Sequence, residues 1–175
     1  MRGKRVSFRF RGKSGREHTV DLEDPRLAAV VRRCRDLPGQ ELFAYFDDAG
    51  GIHQIGSADV NDYLREISGS DFTAKDFRTW AGSVLALQAL ERSPAFSSLA
   101  EAKRNVVAAV DSVAKTLGNT KAVCRKSYIH PALIDAYLDG SLPGDGSVRR
   151  STRRTDEAKL LQVLKARLAR DARRQ

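Results

Sequence analysis

The stretch of the chain that offers the most chemistry spans residues 117–131, LGNTKAVCRKSYIHP. It combines helix N-terminal amides near Thr120 with a tyrosine, Tyr128, that comes just before a helix-starting proline. Three cations accompany them: Lys121, Arg125 and Lys126. Because positive charge favours the phenolate form of a nearby tyrosine, Tyr128 is a candidate nucleophile toward a phosphate group. The alternative is a tyrosine that fills the core beside an ordinary basic surface.

A second candidate phosphate-binding segment is TAKDFRTW, in which Lys75 and Arg78 stand three residues apart. On a helix this spacing puts both cations on one face. Two adjacent cations repel each other unless an anion lies between them, and a guanidinium offers a phosphate two parallel donors. We expect Phe77 and Trp80 to point into the core. The alternative is a pair of solvated surface cations close to Asp76.

The tripeptide Gly12-Lys13-Ser14 invites comparison with a phosphate-binding nucleotide loop. That motif needs a glycine five residues before Gly12, where this chain has Ser7, and it must open a helix, whereas a strand is predicted next. We therefore expect no nucleotide site here. What remains is Lys13 at the tip of a hairpin, which taken alone is most often a solvated turn residue.

The elements that must position these residues begin with a small β element. Alternating apolar and polar residues predict strands over 6–10 and 18–22, joined by the loop RGKSGR. Asp24 followed by Pro25 predicts a helix start, and a second hairpin is expected over 43–46 and 52–55.

From residue 57 onward the hydrophobic periodicity is helical. Ser57 is the predicted cap of a helix that buries Val60, Leu64 and Ile67. Thr73 caps the next helix, with Asp76 three residues later as a weak capping box.

Further helices are predicted over 99–117, 120–128 and 131–139. The segment 141–154 reads as a flexible basic linker, and 155–175 as a basic helix with leucines along one side, namely Leu160, Leu161, Leu164 and Leu168.

Charge is unevenly distributed along this chain of net charge +9. Residues 1–22 carry seven basic and two acidic side chains, and residues 147–175 carry ten basic and three acidic ones. Two basic ends flank a nearly neutral body, which favours a polyanionic partner, although solvated faces would show the same charge. Cys34 and Cys124 are far apart, and the histidines lack metal-ligand spacing, so we expect a reducing compartment and no metal or other cofactor. No apolar run approaches a membrane span or a signal peptide.

Taken together, the segments VSFRFRGKSGREH, KDFRTWAG and LGNTKAVCRKSYIHP resemble the catalytic domain of type IB DNA topoisomerases, in the bacterial branch related to the poxvirus enzymes. They occur in the family's order, and the resemblance covers about residues 5–140. It implies a predominantly helical α+β fold, in which a small N-terminal β-hairpin packs on a helical DNA breaking and rejoining domain. Tyrosine recombinases share this fold, but they typically show HxxR where this chain has Lys75-x-x-Arg78.

The resemblance implies a role for each matching residue. Tyr128 would attack a DNA phosphodiester to give a 3′-phosphotyrosyl bond and a free 5′-hydroxyl, and Lys13 would protonate the leaving 5′-oxygen. Arg78 and Asn119 would donate to the non-bridging oxygens, although many relatives have histidine where Asn119 stands. No metal and no ATP are required. The expected DNA contacts come from basic residues: Lys75, Lys121, Arg125, Lys126, Arg11 and Arg16.

The family also has a catalytic arginine upstream of the hairpin lysine and an N-terminal β-rich domain that completes a DNA clamp. Only twelve residues precede Lys13. We therefore expect an N-terminally truncated catalytic domain over 1–140, monomeric and feebly active alone, that acts on double-stranded DNA in the bacterial cytoplasm at the nucleoid. Two alternatives stay open: a tyrosine recombinase or integrase-like protein, and a catalytically weak DNA-binding remnant.

Overall fold

A computed structural model describes residues 4–12, 15, 17–37, 41–142 and 153–173, apart from the side chains of Arg153 and Arg154. The chain divides into two compact units, Met1–Asp71 and Phe72–Gln175. Within the described ranges, the first unit contains two antiparallel hairpins and two helices, and the second contains five helices. The predominantly helical α+β class is thereby confirmed.

The first hairpin pairs β1 (Arg5–Arg11) with β2 (Glu17–Glu23), so that Val6 lies opposite Leu22. Alternation along β1 buries Val6, which packs in a small core with two residues of the following helix, α1 (Pro25–Arg35). The carboxylate of Asp24 caps α1 by accepting two backbone N–H bonds. Both the hairpin and the helix start agree with prediction.

The second hairpin pairs β3 (Ala44–Phe46) with β4 (Ile52–Gln54), and α2 (Ser57–Ser68) follows. The predicted helix is present, but its N-cap is Gly56, whose N–H donates to Asp59 at 2.7 Å. The predicted burial of Val60 and Ile67 is wrong: they are 42% and 60% exposed. Periodicity selects one face of a helix, but that face is buried only where another element packs on it.

The second unit is built from α3 (Ala74–Glu91), α4 (Leu99–Leu117), α5 (Lys121–Ser127), α6 (Pro131–Leu138) and α7 (Arg153–Ala172). Local capping residues set these limits. The N–H and hydroxyl of Thr73 donate to the Asp76 carboxylate at 2.9 and 2.7 Å, and Gly118 ends α4 with a φ of +67°. The predicted start of α3 and the predicted starts and ends of α4 to α6 hold within about one residue.

The five helices share one apolar core around Leu87, Val113 and Leu133. Trp80 packs against this core from its edge, but Phe77 does not: its side chain is 55% exposed, so its predicted burial is wrong. Phe77 stands next to Arg78 in sequence and projects from the solvent side of α3, which only the packing of the other helices decides.

Helix α7 packs on this core through Leu160 and Val163. Two polar contacts tie it to α3: Gln88 Nε2 donates to Asp156 Oδ2 at 2.6 Å, and Lys159 Nζ pairs with Glu91 at 3.0 Å. Of the four leucines predicted along one side of this helix, Leu160 is fully buried, whereas Leu161 and Leu168 are 44% and 70% exposed. Most of the predicted linker, 141–154, lies outside the described residues.

Among the described helices, none has both the length and the apolar character needed to cross a membrane.

Replacing Leu160 by alanine tests whether α7 contributes to the core. Because Leu160 is fully buried, L160A should lower the free energy of unfolding by about 2–5 kcal/mol. L168A is the matched control on the same helix, since its mostly exposed side chain should cost less than about 0.5 kcal/mol. Urea denaturation measures both, and equal small losses would show that α7 does not hold the core together.

Candidate active site

Arg78 and Tyr128 meet in the second unit although fifty residues separate them in sequence. Arg78 lies near the start of α3, and its guanidinium carbon stands 4.8 Å from the centroid of the Tyr128 ring. At this distance the guanidinium and the ring form a cation–π contact. Tyr128 is the C-cap of α5, with a half-buried side chain, so the phenol is held beside a cation while it keeps access to solvent.

Asn119 joins the pair through the carbonyl of Leu117, the last residue of α4. Arg78 Nη2 donates to that oxygen at 3.2 Å, and Asn119 Nδ2 donates to it at 3.1 Å. The left-handed turn at Gly118 brings Asn119 back toward the helix end. Three predicted site residues, drawn from two segments of the sequence, therefore lie close together.

This arrangement is suited to holding an anion. A guanidinium has five N–H donors, and the hydrogen bonds of the described residues use only one of those of Arg78. An amide has two N–H donors, and one of those of Asn119 is in use. Both groups donate to the same carbonyl oxygen, so their unused donors lie close to each other.

The predicted DNA-binding cations divide into two kinds. Lys75 lies exposed one turn before Arg78, and Arg125 and Lys126 lie exposed in the last turn of α5, without an ion pair to any residue in the described part of the chain. Lys121 instead pairs with Asp111 at 2.9 Å. Lys115 and Lys121 together hold the pKa of the Asp111 carboxyl below its usual value, so the charge of Lys121 is already countered.

The remaining predicted residues belong to the first unit. Arg11 is exposed at the end of β1, whereas Lys13 and Arg16 lie outside the described residues. Their assignments stay predictions.

Two other titratable groups, Asp76 and Cys124, serve the fold rather than the site. Hydrogen bonds from the hydroxyl and the N–H of Thr73 lower the pKa of Asp76, which keeps this carboxylate charged as it caps α3. Cys124 is completely buried in α5, and burial raises the pKa of its thiol, which makes it a core residue rather than a nucleophile.

Sequence reasoning missed the residues of α3 that face the tyrosine. Gly82 lies so close to the Tyr128 carbonyl oxygen that a Cβ at this position would fall far inside van der Waals contact. Thr79 and Ser83, on the same side of α3, hydrogen bond to the backbone on either side of Tyr128. The available signal was three small residues at positions i, i+3 and i+4 of the helix that carries Arg78.

Residues 1–141 match the family described as the catalytic core of eukaryotic DNA topoisomerase I. The chain belongs to the DNA topoisomerase I family. It is also 31% identical over 141 residues to the DNA topoisomerase 1B of Acanthamoeba polyphaga mimivirus. That alignment covers 75% of this chain but 41% of the viral protein, so the chain spans less than half of its relative's length.

Membership of the topoisomerase I family confirms the resemblance expected from the three sequence segments. The bacterial, poxvirus-related branch stays a prediction. The family match ends at residue 141, before α7, although α7 packs on the same core as α3 and α6.

Replacing Gly82 by alanine tests the contact between α3 and Tyr128, because the contact and helix propensity predict changes of opposite sign in the free energy of unfolding. By helix propensity alone, G82A would stabilise α3 by about 1 kcal/mol. We expect instead a net loss of about 1–3 kcal/mol, because the added methyl collides with the Tyr128 carbonyl.

Thermal or urea unfolding measures this change. G56A is the control, since a methyl there would have its nearest neighbour at 3.5 Å, and the exchange at an N-cap should cost under about 1 kcal/mol. A G82A protein more stable than the original would show that the contact is absent.

Proposed function

We propose that this protein is a type IB topoisomerase: it nicks one strand of duplex DNA, lets the duplex swivel and reseals it. The observation that carries the proposal is the convergence of Arg78, Asn119 and Tyr128 within one unit of a topoisomerase I family chain. The name of the viral relative, DNA topoisomerase 1B, agrees with it.

In the proposed reaction the Tyr128 phenol gives up its proton to solvent, which reaches this half-buried side chain, and its oxygen bonds to a backbone phosphorus. The bond from phosphorus to the 5′-oxygen breaks, and Lys13 supplies the proton that makes this oxygen a good leaving group. The product is a 3′-phosphotyrosyl bond and a 5′-hydroxyl. Because the covalent bond retains the free energy of the broken phosphodiester, the reverse step reseals the strand without ATP.

Arg78 has the largest electrostatic role in this scheme. Charge builds on the non-bridging oxygens in the pentavalent transition state, and a donor aimed at those oxygens stabilises that state more than the ground state. Asn119 donates to the same oxygens, but as a neutral amide it contributes less than a cation would. The Arg78–Tyr128 contact also keeps a positive charge beside the developing phenolate.

Binding of the duplex would depend on the exposed cations around this site. Lys75, Arg125 and Lys126 are available for phosphate contacts, and each contact releases counterions from the DNA. Such contacts position the backbone without selecting a base sequence.

The decisive experiment traps the covalent intermediate. The protein is incubated with a labelled duplex and supercoiled plasmid, without ATP or magnesium, and the reaction is stopped with denaturant. We expect a protein–DNA adduct and relaxed plasmid from the original chain, and neither from Y128F, which lacks the attacking oxygen. Y63F, which alters an exposed tyrosine of α2, is the control and should react normally.

Three other outcomes would each favour a different protein. Equal adduct from Y128F and the original would remove Tyr128 as the nucleophile. Salt-sensitive DNA binding with no adduct would favour a DNA-binding remnant. Recombinant products from a substrate with two sites would favour a tyrosine recombinase.

A second prediction separates catalysis from binding. R78K keeps the charge but loses the guanidinium fork, and we expect it to slow single-turnover cleavage by about 10²–10³-fold at saturating DNA. K126A should leave that rate nearly unchanged while it weakens binding and reduces the slope of log affinity against log salt by about 1. If R78K cleaved at the original rate, Arg78 would belong with the binding residues instead.

A further inference from the structure

Two hydroxyl groups of α3, those of Thr79 and Ser83, lie on either side of the nucleophile-bearing turn. They stand four residues apart and so occupy the same face of the helix. Thr79 contacts the residue before Tyr128, and Ser83 contacts the second residue after it. Neither hydroxyl touches the phenol itself in any hydrogen bond between described residues.

The Thr79 hydroxyl lies 3.1 Å from the Ser127 carbonyl and 3.0 Å from the Lys75 carbonyl, so one proton serves two acceptors. Ser127 is the last residue of α5, where backbone carbonyls have no partner within the helix. Thr79 therefore satisfies the end of α5 from a different helix. A seven-residue helix has little stability of its own, so it depends on such contacts for its position.

The Ser83 hydroxyl uses both of its roles. It donates to the Thr79 carbonyl at 2.8 Å, and it accepts the His130 N–H at 2.9 Å. Ser83 is buried, so the hydrogen bond from the His130 N–H to its hydroxyl is shielded from water on the side of α3. His130 is also the N-cap of α6, so one side chain sets both the end of the tyrosine turn and the start of the next helix.

Between these two bonds, the Tyr128 carbonyl rests against Gly82. The contacts hold backbone atoms of residues 127, 128 and 130 and leave the phenol free to face Arg78. Arg78 and the three contacting residues all belong to α3, so the backbone of Arg78 and the Tyr128 turn are held by the same helix.

We propose that Thr79 and Ser83 are positioning residues that set the Tyr128 oxygen in line with the scissile phosphate. The inference rests on the proposed topoisomerase function and goes beyond it, since neither hydroxyl takes part in the chemistry. In-line attack tolerates little error, because a misplacement of about 1 Å can cost on the order of 10²-fold in rate.

The test replaces Thr79 by valine, which keeps the branched shape and removes the hydroxyl. Single-turnover cleavage of a nicked duplex at saturating DNA should slow by roughly 10–100-fold. T116V is the matched control, because the Thr116 hydroxyl makes the same bond to the carbonyl four residues earlier, 3.1 Å from Ser112 O, but bonds to no second segment among the described residues.

Rescue and a second site sharpen this test. T79S restores a hydroxyl and should recover cleavage to within about threefold of the original rate, as expected if the hydroxyl and not the methyl matters. S83A should slow cleavage like T79V, whereas S93A, which removes a comparable bond to Ala89 near the end of α3, should not.

The rate and the amplitude of cleavage distinguish positioning from folding. A residue needed only for folding would reduce the fraction of protein that reacts and the melting temperature, while the reacting molecules kept the original rate constant. A positioning residue lowers the rate constant itself. DNA affinity is measured separately, with Y128F added to each variant so that no cleavage occurs. It should stay within about twofold of the affinity of Y128F alone, because the phosphate contacts are unchanged.

Amide hydrogen exchange without DNA gives a readout independent of activity. We expect S83A to speed exchange of the His130 amide, because that N–H loses its acceptor. If T79V and S83A both cleaved with the rate constant of the original chain, and the original chain formed the adduct, the inference would be overturned and the proposed function would stand. An original chain that formed no adduct would remove both.

Discussion

The close packing of the Tyr128 turn against α3 is the interaction on which the rest of the site depends. A glycine at position 82 lets the Tyr128 carbonyl approach the helix backbone, and hydrogen bonds from Thr79 and to Ser83 hold the chain on both sides of it. Only with this approach does the phenol come to lie beside the guanidinium of Arg78. The two hydrogen bonds give the Ser127 carbonyl and the His130 N–H a partner, as a folded interior requires.

The basic side chains around the site differ in whether a carboxylate is paired with them. Asp111 counters Lys121 and Lys115 on one side, and Asp76 is committed to capping α3. Arg78 has no such carboxylate partner among the described residues and bonds to a neutral carbonyl. A cation without a countercharge retains more of its attraction for an incoming anion. Arg125 likewise has no ion pair among the described residues, so what distinguishes Arg78 is its contact with the Tyr128 ring.

The second unit also shows how a short, locally weak element is made rigid. Helix α5 has seven residues, yet its Cys124 side chain packs in the shared core and the carbonyl at its end accepts a hydrogen bond from Thr79 of α3. Near the C-terminal end of α3, the Gln88–Asp156 and Lys159–Glu91 contacts join it to α7. The helix that carries Arg78 is therefore packed on several sides, which fixes the position of the Arg78 backbone.

The sequence by itself determined the features that depend on neighbouring residues: helix limits from caps such as Thr73, Gly118 and Thr120, the β1–β2 hairpin, and the family to which the chain belongs. It also singled out Arg78 and Tyr128 by residue type and spacing, and Asn119 through the family resemblance, without showing that they meet. The tertiary structure decided burial and convergence. It exposed Phe77, Val60 and Ile67, which periodicity had placed in the core, and it brought Gly82, Thr79 and Ser83 to the backbone of a turn more than forty residues away. The reason is physical: a cap is satisfied by atoms a few residues distant, whereas burial and long-range hydrogen bonds depend on which segments the whole chain packs together.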